Sequence, residues 1–183
     1  MTPSPLPSAA SLPSSEAPVV SLDPIPQSEA PVLANLLQLY AHDFSEHVPV
    51  DLSPSGRFEI PFDQAWWTDP GRSPFFLRSG GKLCGFALVK RGSRLTGAPD
   101  VLDVAEFFVV RGMRKRGVGA DAALALFRAF PGRWEVRVRR SNAGARAFWS
   151  RVVGRWAGRT VSSEPWTVGG VDWDVFRLES PAV

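Results

Sequence analysis

The sequence has few of the residues that support disulfides, metal centres or membrane spans. Its single cysteine, Cys84, permits no internal disulfide and no cysteine-rich metal site. The two histidines, His42 and His47, lie five residues apart without cysteine partners, so we predict no metal site. No apolar run approaches the ~20 residues that cross a membrane. We therefore expect a metal-free protein of the cytoplasm that does not bind a membrane.

Basic residues are missing from the first thirty positions, which are crowded with proline, serine and alanine. Such a segment cannot bury enough apolar surface to offset the entropy lost on ordering, and it lacks the features of a secretory signal. We predict a disordered tail over residues 1–30, with an extended packed segment over Pro18 to Pro26 as the alternative. Residues 31–183 then form a single domain that buries about two thirds of its unfolded surface.

Positive charge is concentrated in that domain. The chain carries 21 basic and 18 acidic residues, three of the acidic ones lie in the tail, and the domain therefore has a net charge of +6. This surplus favours an anionic ligand and would also attract nucleic acid.

Hydrophobic periodicity predicts an α/β order of elements. Apolar residues at helical spacing indicate a helix from Pro31 to about Ser45, followed by a long loop over Val48 to Ser73. Two further helices are expected after Gly117 and over Ala143 to Val153. The predicted strands are a hairpin around Ser79–Lys82, a buried strand over Val101–Val110, an alternating strand over Trp134–Arg140, and a hairpin around Gly169-Gly170.

The stretch after the buried strand has the features of an anion site. A cationic loop from Arg111 to Arg116 leads through Gly117 and Gly119 into a helix. The first turn of a helix presents unpaired N–H groups and a partial positive charge, and glycines let a phosphate approach them. A diphosphate is the natural ligand of such a junction, whereas a purely structural helix start with a solvated basic edge is the alternative.

Two motifs in this region resemble those of the GCN5-related N-acetyltransferase (GNAT) superfamily. Arg114-Lys115-Arg116-Gly117-Val118-Gly119-Ala120 fits the R/Q-x-x-G-x-G/A signature that follows the family's fourth strand. Asn142-Ala143-Gly144-Ala145-Arg146-Ala147-Phe148-Trp149 is similar to the N-x-x-A-x-x-F-Y helix after the fifth strand. The resemblance covers about Pro31 to Leu178 and implies a mixed, mostly antiparallel sheet, splayed between its fourth and fifth strands, with helices on both faces.

The same resemblance implies a role for each motif in binding acetyl-CoA, the acyl-donor cosubstrate. The amides of the Arg114–Ala120 loop would hold the pyrophosphate, and Phe108, Val109 and Val110 would pair with the pantetheine arm. The N–H of Val109 or Val110 would face the thioester oxygen. Asn142, Ala145 and Phe148 would complete the cosubstrate site, although an asparagine at that position also commonly caps the helix.

Glu106 is the candidate general base because it is the one carboxylate in the apolar half of the central strand. Strand alternation places it on the same face as Phe108 and Val110 and opposite Val109. A carboxylate among aromatic side chains should have a raised pKa, which suits removal of a proton from an ammonium group. An ion pair with Arg137 or Arg139 is the structural alternative.

Trp149 departs from the family pattern, in which a tyrosine at this position protonates the departing thiolate. An indole N–H cannot supply that proton. Water, Ser141 or Ser150 would then serve, or the protonation step carries little weight, so the sequence assigns no general acid.

The acceptor wall would come from the first helix and the Val48–Ser73 loop. The acidic residues there favour a cationic amine, small molecule or peptide, although loop carboxylates are commonly just solvated. Trp66 and Trp67 fit a core role better than a ligand cage. The candidates in this segment are Tyr40, His42, Asp43, Glu46, Asp51, Glu59, Asp63, Trp66, Trp67 and Asp69.

Three other functions compete with acetyl transfer. Gly117–Ala122 also matches the G-x-G-x-x-A dinucleotide pattern, but six residues separate it from the strand and the next strand ends in Arg139-Arg140 rather than an acid. A nucleic-acid module rests on charge alone. An acyl-CoA-binding member without catalysis fits the missing tyrosine. The acyl chain, the acceptor and the oligomeric state, a homodimer included, stay open.

Overall fold

Seven strands form one sheet in the computed structural model, which describes residues 19–60 and 63–181. The strand order is β1-β2-β3-β4-β5-β7-β6, and every neighbouring pair is antiparallel except β4 and β5, which are parallel. The strands are β1 Val20–Pro24, β2 Arg72–Ser79, β3 Lys82–Arg91, β4 Val101–Val109, β5 Gly132–Arg139, β6 Glu164–Val168 and β7 Val171–Ser180.

Four α-helices accompany the sheet in this part of the chain. Helix α1 has proline in its first turn, where no helical hydrogen bond is lost. Helix α3 begins after Gly117, and α4 ends at Gly158, whose left-handed conformation closes the last turn. The helices are α1 Ala30–Phe44, α2 Ala65–Thr68, α3 Val118–Ala129 and α4 Ala143–Ala157.

The sheet separates two hydrophobic cores. On one face, Phe127 of α3 and Val153 of α4 pack with Trp134 of β5 in the larger core. On the other face, Leu33 and Leu37 of α1 lie in a smaller core. Helices on both faces of a mixed, mostly antiparallel sheet were predicted, and the fold confirms this. Both predicted hairpins and the order of the predicted elements are also confirmed.

The predicted start of the folded domain at Pro31 is too late. Strand β1 pairs with β2 from Val20↔Ser79 to Pro24↔Phe75, and Ile25 is buried. Val20 and Leu22 alternate with polar residues and pack on the larger core, which compensates for the proline-rich composition. The packed alternative for this segment therefore describes residues 20–25 correctly. Residues 1–18 of the predicted tail lie outside the described residues, and Gln27–Glu29 form a 3-10 turn that leads into α1.

Candidate active site

Strands β4 and β5 separate in the middle of the sheet. Their parallel pairing runs only from Val101↔Arg133 to Val104↔Val136, although β4 continues to Val109 and β5 to Arg139. The predicted splay is thus present. The gap between the two strands contains a cleft of about 260 Å³. Its lining residues are Tyr40, Phe44, Arg94, Val104, Ala105, Glu106, Phe107, Val136, Arg137, Val138, Arg139, Asn142, Ala145, Trp149 and Trp173.

A bulge in β4 sets the direction of Glu106. The register with β3 passes from Leu88↔Glu106 to Val89↔Val104, so Ala105 is the extra residue. The Tyr40 hydroxyl on α1 donates to Glu106 Oε2 at 2.5 Å. Glu106 therefore lies on the α1 side of the sheet, where Phe108 packs and from which Val109 points away, as predicted.

Burial sets the acid–base properties of this pair. Desolvation raises the pKa of Glu106, and the Tyr40 hydrogen bond and the charges of Arg94 and Arg137 oppose that shift. Burial and the neighbouring Glu106 carboxylate raise the pKa of Tyr40 well above its usual range, so its hydroxyl stays protonated. Glu106 is a carboxylate with raised basicity, held by one neutral donor.

The alternative of an ion pair between Glu106 and Arg137 or Arg139 is wrong for the described residues. Arg137 instead binds Asp103 through two hydrogen bonds of 3.0 and 3.2 Å, and the two side chains are only 8% and 0% exposed. Arg139 lies over the rings of Phe44 and Trp173.

The end of β4 offers one backbone donor to the gap between β4 and β5. Val110 N–H, one of the two predicted oxyanion donors, donates to Cys84 O of β3 at 2.9 Å and is not available. Backbone groups alternate in direction along an antiparallel pair, so Val109 N–H points away from β3 and into the gap. Arg114 Nε donates to Val109 O at 2.7 Å and fixes this strand end.

The basic loop divides into a tethered part and an exposed part. Arg114, expected at the rim as a mobile charge, forms an ion pair with Asp43, and Arg111 binds Asp43 and Glu46 at 2.8 and 2.9 Å. The hydrogen bonds from these arginines hold the pKa of Asp43 below its usual value, although burial acts in the opposite direction. Lys115 and Arg116 are exposed and form no ion pair within the described chain.

The first turn of α3 follows directly. Gly117 adopts φ 86° and provides no side-chain cap, and the first helical bond runs from Asp121 N to Gly117 O. The amides of Val118, Gly119 and Ala120 therefore have no partner within the helix. These three amides are the unpaired donors that the sequence predicts, and they follow Lys115 and Arg116 directly along the chain.

Gly119 has a second reason to be glycine. A Cβ atom there would lie 3.3 Å from the Phe148 ring and 3.6 Å from Val109. The missing side chain thus favours close packing of α3 against α4, in addition to the predicted approach of a phosphate.

The motif at the start of α4 forms the opposite wall of the cleft. Asn142 Oδ1 accepts from Ala145 N at 2.9 Å, so the capping role is confirmed, and both residues line the cleft. Phe148 stacks on Phe107 with 6.0 Å between ring centroids. Trp149 is 5% exposed and contacts both rings edge-on. Ser141 and Ser150, the suggested replacement acids, do not line the cleft.

Of the ten residues predicted for the acceptor wall, only Tyr40 lines the cleft, and none of the acidic ones does. Asp63 and Asp69 bind Arg72, at 3.0 and 3.2 Å. Trp66 and Trp67 pack on the smaller core, as expected. The cleft instead contains three arginines and Trp173. The sequence indicated Arg137 and Arg139 only as ion-pair partners of Glu106, and it gave no role to Arg94 or Trp173. The signal was present in β5, where Arg137 and Arg139 alternate with the core residues Val136 and Val138.

The described residues contain neither a candidate metal site nor a candidate membrane-spanning helix. None of their histidine, cysteine and acidic side chains forms a cluster of three or more that would hold a metal ion. None of their helices is long and apolar enough to pass through a membrane.

A sheet that opens between two parallel strands, with a glycine-started helix at the strand end, defines the chain as an acyltransferase-type α/β protein. The model of the acetyltransferase (GNAT) family matches residues 33–154, and the chain belongs to this family. Acetyl transfer from acetyl-CoA is the general activity of that family. No match was found among curated proteins.

Solved structures share the fold at low sequence identity. An acetyltransferase from Thermus thermophilus is 21% identical, with a TM-score of 0.62, over 89% of this chain and 100% of that one. RimJ of Mycobacterium smegmatis, in complex with CoA-disulfide, is 17% identical, with a TM-score of 0.58, over 89% and 83%. YncA of Salmonella typhimurium, solved with its cofactor acetyl-CoA, is 14% identical, with a TM-score of 0.56, over 87% and 93%.

Proposed function

We propose that the protein is an N-acetyltransferase that moves the acetyl group of acetyl-CoA to a primary amine by direct attack on the thioester. The observation that carries this proposal is the position of Glu106 in the gap where β4 leaves β5. The basic carboxylate lines this cleft, and the unpaired Val109 amide and the cationic start of α3 follow it along the chain at the end of β4.

The cosubstrate would lie along β4 and end at α3. Val109 N–H is the free donor on the strand, and the amides of Val118, Gly119 and Ala120 would hold the pyrophosphate. Lys115 and Arg116 add charge at that end. Asn142 uses its Oδ1 as a cap, so its amide nitrogen remains to donate to the pantetheine, beside Ala145. Phe108, Val110, Arg114, Gly117 and Phe148 support this site by packing and by shaping the loop.

Glu106 would act as the general base. An acceptor reaches the enzyme as an ammonium ion and must lose a proton before its nitrogen attacks. The raised pKa of Glu106 makes it a better proton acceptor than an exposed carboxylate. Tyr40 keeps the carboxylate oriented toward the cleft through the 2.5 Å hydrogen bond. Val109 N–H would stabilise negative charge that develops on the thioester oxygen.

Protonation of the leaving group needs no residue at position 149. The Trp149 indole packs against Phe107 and Phe148 as part of the core. A thiol has a pKa of about 8.5, so its thiolate departs without prior protonation at neutral pH. Water then supplies the proton.

Thermal unfolding and thiol release test the proposal together. Acetyl-CoA at about a hundred times its Kd should raise the free energy of unfolding by about 2.7 kcal/mol. Thiol release that requires an added amine identifies a transferase. Stabilisation without transfer to any amine would instead support an acyl-CoA-binding member without catalysis.

A nucleic-acid module has less support. Arg111, Arg114, Arg133 and Arg140, which supply much of the basic sequence, are all bound to carboxylates. Salt-dependent binding of RNA or DNA that acetyl-CoA leaves unchanged would nevertheless favour it over acetyl transfer.

A further inference from the structure

The cleft holds more positive than negative side chains. Arg94, Arg137 and Arg139 line it, against the single lining carboxylate of Glu106. Arg137 is neutralised by Asp103 beneath it. Arg94 and Arg139 form no ion pair within the described ranges. Two cations are therefore available to an occupant of the cleft.

Arg139 is the better placed of the two. It is half-buried and lies over the Trp173 ring at 5.4 Å and the Phe44 ring at 6.0 Å. Two aromatic faces hold a guanidinium by cation–π attraction and leave its N–H edge to bind a planar anion.

In the described part of the chain, the other arginines in and beside β5 are each paired with a carboxylate, and Arg139 is not. Among described residues, Arg133 is bound to Asp100, Arg137 to Asp103, and Arg140 to Asp172 and Asp174. Of these described arginines, only Arg139, which faces the cleft, lacks a carboxylate. A cation that is partly removed from water and unpaired is costly unless a ligand supplies the counter-charge.

Arg139 and Glu106 line the same cleft. The charges of Arg137 and Arg139 both act on the Tyr40 hydroxyl, which in turn binds Glu106. The cleft thus presents a proton acceptor and a guanidinium to the same space of about 260 Å³, small for a ligand pocket.

We propose that the acceptor is a small amine that also carries an anionic group, carboxylate or phosphonate, and that Arg139 binds that group while Glu106 faces the ammonium. This inference rests on the proposed function, because it names the substrate class of the same site. It replaces the expectation of a cationic amine drawn to the acidic residues of the first helix and the following loop, because Asp43, Glu46, Asp63 and Asp69 are bound to arginines.

The experiment compares amines that differ only in their distal group. β-Alanine, 2-aminoethylphosphonate and β-alaninamide form one set, 4-aminobutyrate and its amide a second, L-phenylalanine and its amide a third, and putrescine represents cationic amines. Acceptor-dependent thiol release from acetyl-CoA gives kcat/KM for each. A charge-assisted hydrogen bond is worth about ten- to a hundredfold in this ratio, so the anionic member of a set should exceed its amide by that factor.

Variants assign the preference to a residue. Arg139→Gln should reduce the anion-to-amide ratio toward one, mainly through KM. Arg139→Lys keeps the charge, loses the planar fork and should give an intermediate ratio. Arg140→Gln is the matched control, because Arg140 is the next residue and pairs outside the cleft; its ratio should equal that of the wild type. The phosphonate arm separates a phosphate-type group from a carboxylate.

The outcomes separate the two proposals. Two outcomes would overturn the inference: faster transfer to the amides or putrescine than to the anionic amines, or an anion preference that survives in Arg139→Gln. Both outcomes would still support the proposed acetyltransferase function. Stabilisation by acetyl-CoA with no transfer to any amine would overturn both. An anion preference lost in Arg139→Gln and kept in Arg140→Gln supports the inference.

Discussion

The Tyr40 hydroxyl donates a 2.5 Å hydrogen bond to Glu106, and this bond connects helix α1 to the bulge of β4 across the mouth of the cleft. Tyr40 is the one tyrosine of the chain. The family motif leads one to look for a tyrosine on α4, whereas the hydroxyl that reaches the cleft comes from the opposite wall. Its donor role orients the base and does not replace the missing acid.

Tyr40→Phe should move the acid limb of the kcat/KM profile to higher pH. The Tyr40 hydrogen bond lowers the pKa of Glu106 against the effect of burial, so its removal raises that pKa further. A general base works when ionised, and a higher pKa means that protonation inactivates it earlier as the pH falls. Glu106→Gln is the companion variant. It should lower kcat/KM, and the loss should be largest at low pH, where the acceptor is an ammonium ion. An unmoved limb in Tyr40→Phe would remove Tyr40 from this role.

Glu106→Gln should also stabilise the fold at neutral and alkaline pH. The folded-state pKa of Glu106 is raised by burial, so the protein gains stability from protonated Glu106 at low pH and loses it as the pH rises through that pKa. A neutral amide keeps the Tyr40 bond without a buried charge. Its gain in Tm over the wild type should grow above the ordinary glutamic acid pKa of about 4.3 and vanish below it. Thermal unfolding from pH 4 to 8 measures this, and a gain that does not vary with pH would contradict it.

Local patterns were enough to predict most of the fold and the position of Glu106. Alternation in β4 and helical spacing in α1 are properties of neighbouring residues, so they are visible without a partner. The strand from Val20 to Pro24 was predicted only as the alternative to a disordered tail, because its stability comes from pairing with β2, which lies about fifty residues later. Composition alone favoured disorder there.

The parts of the site that were mispredicted depend on contacts between distant segments. Arg114 follows the family motif, yet its side chain turns back to Val109 O and across to Asp43 of α1. Asp43 and Glu46 are paired with arginines of the loop after β4, and the sequence does not reveal this pairing. The position of the Arg139 guanidinium depends on the rings of Phe44 and Trp173, which lie in two other elements.

Neutralising the exposed end of the basic loop should weaken acetyl-CoA binding without changing the fold. Lys115 and Arg116 are exposed and form no ion pair in the described residues, so Lys115→Gln with Arg116→Gln removes two charges at little structural cost. Each charge near a phosphate is worth about 1 kcal/mol at a wet surface, so Kd should rise at least tenfold. Titration at two salt concentrations measures the loss and its screening.

The matched control for that pair is Arg128→Gln with Arg151→Gln, which removes two exposed charges, from the last turn of α3 and from α4. It should bind acetyl-CoA as the wild type does. Equal losses in both double variants would mean that net charge, and not the loop, sets the affinity. This pair is a cleaner test than Gly119→Val, whose Cβ would press on Phe148.

Gly85→Ala should damage the site through the backbone. Gly85 faces Val109 across the β3–β4 pair, and a Cβ atom there would lie 2.0 Å from Phe108 O and 3.1 Å from Val109 Cα. The neighbours are backbone atoms, so the strands must separate, at a cost of about 3 kcal/mol or more. Chemical denaturation should show that loss, together with a weaker acetyl-CoA shift, because Val109 N–H moves. Gly112→Ala, where a Cβ atom meets nothing within 4 Å, is the control and should unfold like the wild type. A Gly85→Ala protein of wild-type stability would mean that β3 and β4 are less closely paired at the end of the cleft than these distances require.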